Sequence, residues 1–203
     1  MKEAGETIIK IRLATIADAP ALQRIYRPYV EQTAVSFEYE APDAAEFERR
    51  IAHTLLAYPY LIAEDETGIA GYAYAGPFHP RQAYQHGAEL SVYVDWNRRC
   101  LGVGKLLYDK MQQLLEAQNV FRLYACIAAT DRKDDAHLTD GSIRFHEKMG
   151  FSIVGQYRSC GYKFDRWYDM VWMEKQIREP MAHPAPFIPF TQSESGQLKE
   201  ELP

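Results

Sequence analysis

The chain is poor in cysteine. Three residues, Cys100, Cys126 and Cys160, are spread over 203 positions with no close pair and no CxxC. That spacing excludes a disulfide framework and a cysteine zinc site, and it fits reduced thiols in a cytoplasmic protein. Positive charge is also in deficit: 23 Lys and Arg face 28 Asp and Glu, for a net charge of -5. Nucleic acid is therefore excluded as the main partner, since phosphate binding calls for a basic face. No apolar run reaches transmembrane length, so no membrane partner is expected. The opening MKEAGETIIKIRL lacks the apolar core of a signal peptide. What remains is ordinary for a globular protein: 47% hydrophobic and 25% charged residues, enough to bury a core in one domain. Residues 179–203 differ, holding five of the eleven prolines beside Ser, Gln and Glu. They read as an extended tail that wraps a neighbour or stays loose, after a domain over 1–178.

Periodicity predicts the elements. Residues 8–13 read as a strand, and Asp18 is placed to cap a helix over 19–30. A second helix follows Pro42, with Phe47, Ile51, Leu55 and Leu56 at helical spacing. Strands are expected over 60–64 and 69–75, then a loop over 76–87. In 89–95 the residues alternate: Leu90, Val92 and Val94 on one face, Glu89, Ser91 and Tyr93 on the other. From Val103 the apolar positions 103, 106, 107, 111, 114 and 115 mark an amphipathic helix. A strand over 121–127, a charged loop over 128–140, a helix over 142–149 ended by Gly150, and strands over 151–157 and 168–174 complete the chain. The fold class is α/β: a mixed, mostly antiparallel twisted sheet of about six or seven strands flanked by about four helices.

One stretch asks for a ligand. Arg98-Arg99-Cys100-Leu101-Gly102-Val103-Gly104-Lys105 joins a strand to a helix through two glycines flanked by three cations. Free N–H groups and the helix dipole make such a turn an anion site, and glycine lets the backbone approach closely. The Walker pattern fails because Leu106 follows Lys105, and the dinucleotide pattern fails for want of a third glycine. Arg99-Cys100-Leu101-Gly102-Val103-Gly104 fits [QR]-x-x-G-x-[GA].

Here the chain resembles the GCN5-related N-acetyltransferases (GNAT), in which this loop holds the pyrophosphate of acetyl-CoA. AYAGPF (73–78), RQAY (81–84), AELSVYVD (88–95), SIRFHEKMGF (142–151) and GYKFDRWYDMVWM (161–173) are similar to the phosphinothricin and methionine sulfoximine N-acetyltransferase branch. The resemblance runs from about residue 9 to 177. It implies acetyl transfer from acetyl-CoA to the amine of a small amino acid or analogue, with no metal, and a homodimer.

The resemblance also distributes roles. Glu89 would deprotonate the amine, directly or through water, although a strand-end carboxylate also reads as plain solvated surface. His146 stands where many relatives carry a tyrosine that protonates the leaving thiolate, and imidazole serves as acid or base near neutral pH. The backbone of Val92, Tyr93 and Val94 would carry the pantetheine arm, and one amide there would polarise the thioester. Arg99, Cys100, Leu101, Gly102, Val103, Gly104 and Lys105 would hold the pyrophosphate. Many relatives place an Asn shortly before the Ser of the next helix; this chain has Thr139 and Asp140 before Ser142. Thr139 is the candidate substitute and Asp140 the helix cap. Arg81, Gln82 and Tyr84 would shape the acceptor site, with Arg81 either pairing an acceptor carboxylate or serving as a surface cation. Lys163, Arg166 and Trp167 pose the same choice. Asp131, Asp134, Asp135 and His137 lack metal-site spacing and read as a solvated charged loop. The cysteines need no covalent role. Two other readings are an acyltransferase for another small amine and a non-catalytic acyl-CoA binder. A general phosphate-binding module comes third.

Overall fold

The computed structural model describes residues 8–192. The start of the signal-peptide reading, 1–7, and the end of the tail, 193–203, lie outside the described residues. Seven strands form one sheet: β1 (Lys10–Leu13), β2 (Tyr60–Asp65), β3 (Gly68–Pro77), β4 (Gly87–Val94), β5 (Arg122–Ala129), β6 (Ser152–Lys163) and β7 (Arg166–Gln176). Their spatial order is β1-β2-β3-β4-β5-β7-β6. Every pair is antiparallel except β4 with β5. Four helices flank the sheet: α1 (Ala19–Gln32), α2 (Ala44–Leu55), α3 (Val103–Ala117) and α4 (Gly141–Lys148). The fold class expected from the sequence is the one found.

The alternation of β2 divides the core in two. Tyr60 and Ile62 face one side, where Leu22, Ile25 and Tyr26 of α1 and Phe47 and Ile51 of α2 cover them. Leu61 and Ala63 face the other, under Leu107, Met111 and Leu115 of α3. The two apolar stripes read from the sequence are thus the two layers that sandwich the sheet.

Several local expectations are corrected. Asp18 does not cap α1. Its carboxylate accepts from the Thr15 backbone N–H at 2.7 Å and from Arg12 at 2.8 Å, bracing a short 3-10 turn over Ile16–Asp18. The helix expected after Pro42 starts at Ala44, with Asp43 as its cap, accepting from the Glu46 N–H at 2.7 Å. Asp140 makes no cap to α4; it pairs with Arg144, while the Thr139 hydroxyl accepts from the Gly141 N–H at 3.3 Å. The loop 128–140 is not simply solvated. Asp135 is buried and accepts from the N–H groups of His137 and Leu138 and from Arg166 and Tyr168. Burial pushes its carboxyl up, but these donors together hold it below its ordinary value.

The tail is not loose as far as it is described. Phe190 is buried and its N–H reaches the Ala57 carbonyl at 2.9 Å. The Ile188 N–H and carbonyl pair with Gln118, and the Phe187 ring packs on Tyr58. The segment is a strap across the α3 side of its own domain.

Candidate active site

The parallel pairing of β4 and β5 lasts three rungs: Gly87 with Arg122, Ala88 with Leu123, Glu89 with Tyr124. Beyond Glu89 the strands part, and β5 turns to β7 for its remaining hydrogen bonds. The opening is a groove lined by Ser91, Val92 and Tyr93 of β4, Cys126 and Ile127 of β5, Tyr108 of α3, and Ser142 and His146 of α4. A splayed pair leaves one edge of β4 without strand partners, so its amide groups are free to meet an extended guest.

Glu89 stands at the fork. Burial raises its carboxyl, no cation compensates, and among the described residues no hydrogen bond reaches it. It lies on the face of β4 that carries Ser91 and Tyr93, as alternation requires. Tyr93 packs edge-on against Tyr26 and Tyr29, and Tyr29 donates to the Val94 carbonyl at 2.6 Å. Val92 and Val94 turn instead to the α3 side.

At the far end of the groove lies the loop before α3. Cys100 and Gly102 both have left-handed backbones, with φ of 65° and 82°. A Cβ on Gly102 would meet nothing within 4 Å, so open space lies against that turn. Gly104 is different: a Cβ there would come within 3.1 Å of the Phe145 ring, so this glycine lets α3 and α4 pack closely. Val103 is buried, whereas Cys100, Leu101 and Lys105 are exposed. The three cations of the stretch are not equivalent. Arg98 is tied to Asp65 and the Gly68 carbonyl, and holds the Asp65 carboxyl down at about 2. Lys105 pairs with Asp109 one turn on. Arg99 lies exposed over the Trp96 ring and donates through Nε to the Trp96 carbonyl at 3.4 Å; of the three it alone has no carboxylate partner among the described residues.

His146 is buried at 4% exposure. Its Nδ1 lies 2.7 Å from the Ser142 carbonyl, which can only accept, so Nδ1 carries the proton. Nε2 then accepts from the Tyr108 hydroxyl at 2.9 Å. Burial lowers the imidazole and raises the phenol, so both stay neutral at neutral pH. Tyr108 escaped the sequence reading; it looked like one more position on the helix. Cys126, pushed up to about 12 by burial, keeps its thiol proton. Thr139 is exposed and engaged in the cap of α4, while Ser142 lines the groove.

The loop leaving β3 opposite Glu89 holds Arg81, Gln82 and Tyr84, all exposed, in and beside a single 3-10 turn. Tyr84 packs against His79 and Phe78. No hydrogen bond joins Arg81 or Gln82 to the groove among the described residues. Lys163 and Arg166 are taken by the protein itself. The Lys163 ammonium, 3% exposed, donates to the carbonyls of Val30, Thr33 and Ser36 at 2.7, 3.0 and 2.7 Å. Trp167 lies exposed on the β6–β7 hairpin. No cluster of metal-ligating side chains occurs among the described residues.

Comparison with known proteins fits this geometry. The model of the acetyltransferase (GNAT) domain matches residues 11–172. The phosphinothricin N-acetyltransferase of Streptomyces viridochromogenes is 35% identical over 91% of this chain and 96% of its own. An L-methionine sulfoximine/L-methionine sulfone acetyltransferase of Pseudomonas aeruginosa is 33% identical over 82% of this chain and 94% of its own. Among solved structures, a GNAT superfamily phosphinothricin acetyltransferase from Sinorhizobium meliloti in complex with acetyl-CoA superposes with a TM-score of 0.78 at 30% identity, covering 87% of this chain and 93% of that one. With a family model spanning most of the chain and relatives aligned nearly end to end, the chain belongs to the GNAT acetyltransferase family.

Proposed function

We propose that this protein transfers the acetyl group of acetyl-CoA to the α-amine of a small amino acid or amino-acid analogue by direct attack. The observation that carries the reading is Glu89, a half-buried carboxylate with no partner among the described residues at the point where β4 and β5 part. An amine is mostly protonated at neutral pH and must lose a proton to attack. A carboxylate raised by burial is a stronger base than one in water, and it is poised for that task.

The residues fit acetyl-CoA. The left-handed turn at Cys100 and Gly102, the open space beside Gly102 and the unpaired N–H groups at the start of α3 suit a pyrophosphate. Arg99 can swing to it. The free edge of β4 at Val92, Tyr93 and Val94 suits the amides of a pantetheine arm. When bound, acetyl-CoA supplies the activated thioester; the chain positions it, removes the amine proton at Glu89 and accommodates charge on the sulfur.

His146 serves that last task through Tyr108. Its Nε2 accepts the Tyr108 hydroxyl proton at 2.9 Å in the resting site and so positions that hydroxyl at the groove. As negative charge develops on the sulfur, the hydroxyl gives up that bond and turns to donate to it, so Tyr108 supplies the stabilisation and His146 acts as its positioning residue. Tyr108→Phe and His146→Ala are each expected to lower kcat about tenfold, and the double variant is expected to be no slower than the worse single one, since coupled groups are non-additive. Additive losses would separate the two residues.

Arg81, Gln82 and Tyr84 border the acceptor side of the fork, where a modest loop movement brings Arg81 to an acceptor carboxylate. We further read the protein as a cytoplasmic homodimer whose catalytic domain ends near residue 178. The test of the reaction is chromatographic release of CoA against a panel of phosphinothricin, methionine sulfoximine, methionine sulfone, ordinary amino acids, polyamines and a lysine peptide. Turnover confined to the amino acids and analogues is the expected result. Tight CoA binding without turnover of any amine would leave a silent acyl-CoA binder.

A further inference from the structure

The C-terminal strap reaches the loop between β3 and β4 through a hydrogen bond. The Phe187 N–H donates to Gln85 Oε1 at 3.0 Å, across 102 positions of sequence. Gln85 ends the short turn that carries Arg81, Gln82 and Tyr84. Two backbone bonds close that turn. The Tyr84 N–H meets the Arg81 carbonyl at 2.9 Å, and the Gln85 N–H meets the Gln82 carbonyl at 3.0 Å. Residues 81–85 therefore move as one body. Where Gln85 is held, Arg81 is held.

The strap's side of this contact is firm. The Phe187 ring packs on Tyr58 with centroids 5.1 Å apart. The Pro186 carbonyl accepts from Asn119 Nδ2 at 2.9 Å, and the Ile188 carbonyl accepts from Gln118 Nε2 at 2.8 Å. The donor is thus fixed on both sides of itself to the two residues that follow α3. The turn, by contrast, is thinly backed. Between it and the strap lies a cavity of about 240 Å³, with Ala83 and Tyr84 on one side and Pro180, Met181 and Pro184 on the other. Atoms that face a void have no packing partners there. The Tyr84 ring leans only on Phe78 and His79 of its own loop. Two further bonds fix the base of the loop: the Phe78 N–H to the Gly87 carbonyl at 3.3 Å, and His86 Nδ1 to the Asn119 carbonyl at 2.8 Å. They set where the chain leaves and rejoins the sheet. The Gln85 side chain holds the turn itself.

We infer that the strap is part of the acceptor site: by holding Gln85 it sets where Arg81 stands for the acceptor's carboxylate, and Gln85 is the positioning residue that joins the two. The inference rests on the acetyl-transfer reading and adds to it a specificity element from the proline-rich end of the chain. The register puts the turn beside the chemistry. Gly76 of β3 lies opposite Glu89 and Pro77 opposite Ala88, so the loop departs at the fork. An α-amino acid carries its amine and its carboxylate on one carbon. With the amine at Glu89 the carboxylate has little choice of place, and a displaced cation loses it.

The experiment is steady-state kinetics of the full chain on the best amino-acid acceptor of the panel above, for the wild type, Gln85→Met, Arg81→Ala and the double variant. Met keeps the length of Gln85, and its thioether is a poor acceptor for the Phe187 N–H. A neutral hydrogen bond biases an equilibrium by about fivefold, so KM for the amino acid should rise about fivefold in Gln85→Met. Both kcat and the KM for acetyl-CoA should stay within about twofold, as expected when only acceptor binding is lost. Arg81→Ala should raise the acceptor KM at least as far. The double variant should match Arg81→Ala, because Gln85 acts through it. An unchanged acceptor KM in either single variant overturns the inference. So does a fall in kcat with a rise in both KM values, which marks a loosened fold, and so do losses that add in the double variant. If the wild type acetylates no amino acid, the acetyl-transfer reading falls, and this inference with it.

Discussion

Replacing Glu89 with Gln should lower kcat by about 10²–10⁴-fold, the range of general-base catalysis, with acetyl-CoA affinity unchanged. The two substitution effects separate because Glu89 stands at the fork of β4 and β5, while the glycine turn proposed to hold acetyl-CoA lies beyond the far end of β4. The wild-type pH profile should rise as the carboxyl ionises, with its midpoint above the ordinary Glu value because burial raises it. That limb should vanish in Glu89→Gln. Stability gives an independent check on the same group. A carboxyl whose folded pKa exceeds its unfolded one stabilises the fold fully below the unfolded value, and that contribution is lost as pH rises through the folded value. At neutral pH the ionised Glu89 therefore costs stability, and Glu89→Gln should melt no lower than the wild type. A variant that melts lower and keeps its turnover would make Glu89 a structural residue.

The second large effect is expected at Lys163. Its ammonium closes the end of α1, where Val30, Thr33 and Ser36 present carbonyls that the helix can no longer pair. Burial lowers the group's pKa, with Glu38 pulling the other way, so the charge is kept at a cost that the three contacts offset. Lys163→Met keeps the length of the side chain and removes every donor. Each charge-assisted hydrogen bond contributes roughly 1.5–3 kcal/mol, and a total loss of about 3 kcal/mol allows for some relaxation. For a chain of this size that is a fall in Tm of about 6–12 °C. Differential scanning calorimetry checks it. A fall under about 2 °C would mean that water replaces the ammonium at those carbonyls.

The two residues also mark what a sequence shows and what it hides. The sheet, its helices and the glycine turn were legible because each follows from spacing within a few residues: period two in 89–95, helical period from Val103, two glycines between them. Glu89 was legible as a candidate because it starts the polar face of the strand leading into that turn. The sequence leaves Lys163 between an acceptor's cation and a surface one, because its true partners lie about 130 positions back and nothing local announces them. Arg98 was read as a rim charge for the same reason; its partner Asp65 belongs to another hairpin. The state of His146 depended on Tyr108, one helix away, and Tyr108 is apolar in pattern and polar only at its tip. Glu38 and Arg50 sit twelve positions apart on a loop and a helix, and the cavity they border exists only once the sheet has brought four tyrosines to face them. Local order was written locally. Buried pairs were not.

The strap has a consequence for the birth of the molecule. Ribosomes release a chain from its N-terminus, and domains close as units when their last contacts emerge. Here β5 leans on β4 for three rungs only and waits for β7 to complete its pairing. Tyr58 and Gln118 wait longer still, for Phe187 and Ile188. The first four strands with α1 and α2 bury one face of the sheet early. The α3 face, including Ala57 and Tyr58, is sealed only when residue 190 has cleared the exit tunnel. A nascent chain stalled short of that point would hold one face of its sheet covered and the other unfinished, so a closed core and completeness of synthesis arrive together.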